Sequence, residues 1–85
     1  MGATVHVLLF ATARTAVGHS ELDWPVPPSG VAAGALADEI SRAHPRLAPV
    51  LKVSRLVRNG RPVERPSTRI RPGDEFAIHP PYGGG

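Results

Sequence analysis

Apolar and polar positions follow two different periods along this chain. "TVHVLLF" at 4–10 is β-branched and apolar, and predicts a mostly buried strand. "ATARTAVGHS" then turns the chain, with Gly18 as the pivot. In "SELDWPV" at 20–26, Leu22, Trp24 and Val26 fall on one face and Glu21 and Asp23 on the other. Pro25 has no N–H to give to a ladder, so this strand belongs at a sheet edge. The two segments predict a β-hairpin.

After "PPSG" the period lengthens. Ala33, Leu36, Ala37, Ile40 and His44 form one helical stripe, with Asp38, Glu39 and Arg42 outside it. Ser29 is the expected N-cap and Pro45 the stop. Gly34 costs this helix about 1 kcal/mol relative to Ala, which predicts close packing on a sheet. "RLAPVLK" reads as a loop or a short helical turn. "VSRLVR" at 53–58 predicts a third strand, "NG" at 59–60 a tight hairpin, and "RPVE" the return. "RPGDE" at 71–75 is a Pro-Gly turn with Gly73 at positive φ, and "EFAIH" is the last strand, with Phe76 and Ile78 on one face.

The order is β-β-α-β-β-β, and the connection through the helix is long enough for a crossover. It predicts the α+β class and a β-grasp, ubiquitin-like fold: a mixed four- to five-stranded sheet with one main helix packed across it. The 85 residues make a single domain, 1–85, with a flexible C-terminal glycine tail at 82–85.

Composition narrows the chemistry. There is no Cys, which removes disulfides, thiolate nucleophiles and Cys-based zinc sites together. The start lacks a positive n-region and places His6 inside its apolar stretch, unlike a signal peptide. No apolar run approaches the ~20 residues that span a bilayer. A cytoplasmic protein without membrane association is expected. Net charge is +3, and six Arg lie between 55 and 71 with only Glu64 opposing them. These cations suit a solvated hairpin face or an acidic protein partner. Nucleic acid is the weakest reading, because no aromatic residues interleave with them to stack on bases.

The four His residues, 6, 19, 44 and 79, are scattered, with no pair at helical ligand spacing, so no metal site is expected. There is no GxGxxG, P-loop or nucleophile elbow. One group remains: the α-carboxylate of Gly85. Activated by ATP as an acyl-adenylate, it becomes an electrophile that a sulfur donor can convert to a thiocarboxylate. Gly83, Gly84 and Gly85 carry no Cβ and suit a narrow channel. Pro80 and Pro81 stiffen the exit from the last strand and lower the entropy lost on insertion.

These residues resemble a known family, the MoaD/ThiS ubiquitin-like sulfur carriers. "VLLFATARTAVG" (7–18) is similar to its first strand and following Arg-containing segment. "LADEISRAHPRL" (36–47) is similar to its helix, and "VRNG" (57–60) to its Val-Asn turn. "RPGDEFAIHPPYGGG" (71–85) resembles its signature of Gly-Asp-Glu turn, apolar strand, Pro-Pro and terminal Gly-Gly. The Pro-Pro step is more like MoaD, the small subunit of molybdopterin synthase. The resemblance implies that a MoeB/ThiF-like adenylyltransferase uses ATP to adenylate Gly85 and that a sulfurtransferase supplies the sulfur. A MoaE-like large subunit then receives the tail in molybdopterin (molybdenum cofactor) biosynthesis, with Gly83 and Gly84 in the channel. It implies no bound cofactor on the chain itself. Phe10, Arg14, His79, Pro80, Pro81 and Tyr82 fall where the family contacts partners. His79 stands where an apolar or aromatic residue is common, and Tyr82 and Gly83 replace a small aliphatic and a small polar residue. A carrier for thiamin, cysteine or another sulfur metabolite, and a ubiquitin-like protein modifier, are the alternative readings.

Overall fold

A computed structural model describes residues 2–81. In chain order the elements are β1 (Thr4–Leu9), α1 (Ala11–Val17), β2 (Glu21–Pro25), β3 (Val31–Ala32) and α2 (Ala33–Ala43). After them come α3 (Leu47–Leu51), β4 (Arg55–Arg58), β5 (Arg61–Pro62), β6 (Arg69–Ile70) and β7 (Glu75–His79). Five strands form one mixed sheet in the order β2-β1-β7-β4-β5, and β3 and β6 pair separately. β1 runs parallel to β7, while β2 is antiparallel to β1 and β4 antiparallel to β7. This is the β-grasp, ubiquitin-like fold, a five-stranded mixed sheet with three helices.

The core follows from strand alternation. Val5, Val7 and Leu9 of β1 point inward beside Phe76 and Ile78 of β7, and all five are buried. Ala33, Leu36 and Ile40 of α2 meet them, joined by Ala13, Leu47 and Ile70. Each large side chain so buried contributes about 1.5–3 kcal/mol. β2 is an edge strand, as Pro25 requires, with Leu22, Trp24 and Val26 on the core side. In the β4–β5 hairpin, Asn59 at φ +48° and Gly60 at φ +80° make the paired positive-φ turn that "NG" encodes.

Several expectations are corrected. Residues 11–17 form a helix rather than a turn region. It puts Ala13, Ala16 and Val17, at i, i+3 and i+4, against the core. Gly18 closes it in the left-handed conformation, φ +88°, with its N–H on the Arg14 carbonyl at 2.7 Å. Residues 47–51, open between loop and helical turn, form the short α3. Ser29 is not an N-cap. Ala32 occupies that position, without a side-chain cap. The free amides at the start of α2 donate instead to the 66–68 loop: Ala33 N–H to Thr68 O at 2.8 Å and Gly34 N–H to Pro66 O at 2.9 Å.

This contact also explains Gly34. A Cβ there would lie 3.0 Å from Pro66 Cβ, so the glycine admits a loop rather than the sheet. The third strand starts at Arg55, not Val53. Ser54 turns its hydroxyl onto the Val50 carbonyl at 2.7 Å and prolongs the end of α3. No helix among the described residues is long and apolar enough to cross a membrane.

Candidate functional site

One face of the sheet carries the helices; the other is open. Register assigns the open face: Glu21 and Asp23 of β2, His6 and Leu8 of β1, Glu75, Ala77 and His79 of β7, Arg55 and Val57 of β4, and Pro62 of β5. The candidate site lies on this face at the end of β7, where Pro80 and Pro81 leave the sheet.

Two walls frame it. On one side Phe10, at the junction of β1 and α1, stacks on His79 with ring centroids 4.3 Å apart and planes 12° from parallel. Phe10 is 41% exposed, so it is a surface residue. Its N–H reaches the Ile78 carbonyl at 3.3 Å. The next residue, Ala11, takes positive φ, +48°, which turns the chain into α1. Arg14 lies one helical turn on, exposed on α1, with its N–H on the Phe10 carbonyl.

On the other side Arg55 and Val57 of β4, with Pro62 of β5, face His79, Pro80 and Pro81 across a groove of about 480 Å³. Val53, 63% exposed, and Gly60 complete its lining. Among the described residues, Phe10 and Val53 are the large hydrophobics most exposed to solvent, and they flank the same strand end. The structure thus gathers Phe10, His79, Pro80 and Pro81 and places Arg14 close along the chain from them. Tyr82, Gly83, Gly84 and Gly85 lie outside the described residues.

Sequence reading did not find Val53, Val57 and Pro62, and took Arg55 only as one of six Arg that suit a solvated face or an acidic partner. A signal was present: strand alternation puts Arg55 and Val57 opposite to core-facing Leu56.

Charge is polarised across the open face. At the β2 edge, His6 Nε2 lies 2.8 Å from Glu21 Oε1, and its Nδ1 lies 3.1 Å from Asp23 Oδ1. The Asp23 hydrogen bond raises the His6 pKa above its ordinary 6.5, against a smaller lowering by burial and with added help from the Glu21 charge. Toward the other edge Arg55 has no ion-pair partner among the described residues.

Behind the site the Gly-Asp-Glu turn is locked. Asp74 accepts hydrogen bonds from Arg58 Nε and the Arg71 N–H, both at 2.7 Å, and from Asn59 Nδ2 at 3.0 Å. Asn59 Oδ1 in turn accepts the Glu75 N–H at 2.8 Å. Burial raises the Asp74 pKa, but these donors outweigh it and hold the carboxyl below its ordinary 3.8. The motif therefore ties the β4–β5 turn to the start of β7.

Comparison with known proteins places this geometry. The chain matches the ThiS family over residues 7–85. A search of curated proteins gives no match. Among solved structures, SAMP1 from Haloferax volcanii is 26% identical with a TM-score of 0.82, covering 96% of this chain and 99% of that one. A putative molybdopterin converting factor subunit 1 from Pyrococcus furiosus is 24% identical with a TM-score of 0.82, covering 93% and 98%. The complex of subunits 1 and 2 of the molybdopterin-converting factor from Helicobacter pylori gives 20% identity, a TM-score of 0.68, and coverage of 96% and 99%. At those identities the last two bear on the fold. The family match runs from β1 through the locked turn and β7 to the last residue, and the chain belongs to the ThiS family, the ubiquitin-like sulfur carriers of ThiS and MoaD type.

Proposed function

We propose that the chain carries sulfur on its C-terminal glycine as the small subunit of a molybdopterin synthase. The carboxylate of Gly85 attacks the α-phosphorus of ATP on a MoeB/ThiF-like adenylyltransferase; pyrophosphate leaves and an acyl-adenylate forms. A sulfurtransferase-borne persulfide attacks the carbonyl carbon, the C–S bond forms and AMP departs; a thiol then cleaves the S–S bond of the resulting acyl disulfide, freeing the thiocarboxylate and forming a disulfide with the sulfurtransferase sulfur. The thiocarboxylate then enters a MoaE-like large subunit, with Gly83 and Gly84 in its channel and Tyr82 at the mouth.

The observation that carries this reading is the family match, which runs to Gly85. Two others support it. Pro80–Pro81 stands at the end of the central strand, and the H. pylori neighbour is a complex of subunits 1 and 2. Incubation with ATP, the adenylyltransferase and the sulfur donor of the same organism tests it. Intact mass should rise by the difference between sulfur and oxygen, at Gly85. Absence of that species sinks the proposal. The similarity to SAMP1 favours a second reading, a ubiquitin-like modifier. Isopeptide bonds from Gly85 to protein lysines, in place of sulfur transfer to a pterin precursor, would establish it.

A further inference from the structure

The helix-bearing side of the sheet carries a cationic cluster that the carrier reading does not use. We propose that the cavity between the β4–β5 hairpin and Thr68 binds a phosphate group, free or at the end of a small molecule, on Arg58 and Arg61. Register puts Arg58 directly opposite Arg61 in the hairpin, and the next pair, Val57 and Pro62, belongs to the open face. A cavity of about 400 Å³ opens beside the two arginines, lined by Arg58, Asn59, Arg61, Pro62, Val63 and Thr68, with no carboxylate among them. Arg58 donates Nε to Asp74 Oδ2 at 2.7 Å, which holds the guanidinium in place and leaves its terminal nitrogens to donate elsewhere. Arg61 is exposed and has no carboxylate within ion-pair distance among the described residues.

Like charges directly opposite each other across a strand pair repel. Asp74 offsets part of the charge at Arg58, while Arg61 keeps its own in full. A dianion held between the two turns that repulsion into attraction. Guanidinium forks match phosphate oxygens two at a time, and the Thr68 hydroxyl adds a rotatable donor on the same wall. The lining has no aromatic ring on which a base could stack, so the group recognised is the phosphate and not a nucleobase.

Titration of the full-length protein by amide NMR tests this without any sulfur-transfer partner, so its result is separate from that of the carrier reading. Inorganic phosphate and pyrophosphate are the probes, near neutral pH and at constant ionic strength. Saturable shifts should concentrate at the amides of Asn59, Arg61, Val63 and Thr68, at about millimolar phosphate. Arg61→Gln should weaken binding about tenfold and Thr68→Val about threefold, with the spectra showing that both variants stay folded. Arg46→Gln makes the same change of net charge away from the cavity, and should leave the affinity within about twofold. Pyrophosphate binding tighter than phosphate assigns the cavity to the end of an oligophosphate, and equal binding assigns it to a phosphate monoester; either supports the site. Equal effects of Arg61→Gln and Arg46→Gln overturn the inference, as does acetate binding as well as phosphate does. An oligoglutamate peptide or an oligoribonucleotide that binds along the whole 55–71 stretch, with phosphate unable to compete, also overturns it, and makes the cations a docking face for that polymer.

Discussion

Asp74 does more than serve its turn. With only 12% of its side chain exposed it joins Arg58, Arg71 and Asn59, so removing it strands a guanidinium and an amide together. Asp74→Ala should cost about 2 kcal/mol, discounted because Arg58 is one-third exposed. Urea denaturation of the two proteins measures it. Its pKa is depressed on folding, so its contribution is full above the ordinary carboxyl value of 3.8 and is lost as pH falls through the lower folded value. His6 has the opposite sign. Its raised pKa adds stability below 6.5 that fades as pH climbs through the folded value. The melting temperature of wild type minus that of His6→Gln should therefore be larger at pH 5 than at pH 8. A difference independent of pH would show that the two carboxylates do not hold the imidazolium. Neither group was legible as a partner in the sequence. Glu21 and Asp23 lie across a strand pair from His6, and only register brings them to its ring. Glu39 likewise reads as a solvated residue, yet it accepts the Trp24 indole N–H at 2.9 Å.

Elements were legible where periodicity ran long enough. β1, β2, α2, the Asn-Gly hairpin and β7 all stand where alternation or a helical stripe puts them. The pieces missed or left open are short. α1 has seven residues and α3 five, too few for a stripe to stand out, and both form because a core face awaits them. β3 and β6, two residues each, exist only as a pair. The start of α2 escaped for another reason: its amides are satisfied by a loop distant in sequence. Ser29→Ala should consequently change stability by less than about 0.5 kcal/mol, below the cost of losing a true cap. Its neighbour Gly30 is the sensitive position. At φ +84°, with an added Cβ only 2.5 Å from the Ile70 carbonyl oxygen, Gly30→Ala should cost about 2 kcal/mol or more. Thermal denaturation of the two variants side by side separates a cap from a steric constraint.

Over the whole molecule, the described core and the proposed carrier end lie in separate parts of the sequence. Among the described residues the buried core spans Val5 to Ile78, and the last two glycines have no side chain to add to it. A protein lacking Gly84 and Gly85 should keep its melting temperature within about 2 °C and lose adenylation altogether, a pairing that calorimetry and pyrophosphate exchange report together. The root of the tail was legible from Pro-Pro and Gly-Asp-Glu; the groove was not, since it joins β4 and β5 to residues that follow β7. One further consequence concerns synthesis. The centre of the sheet is β7, paired with β1 across almost the whole length of the chain. On a ribosome the first strand must wait for one of the last, and closing so large a loop makes folding slow relative to a helical domain of this size. No partial chain can complete the sheet. The strand that finishes the fold is also the last of the described strands, so any partner that reads the sheet's open face meets finished molecules and passes over nascent ones.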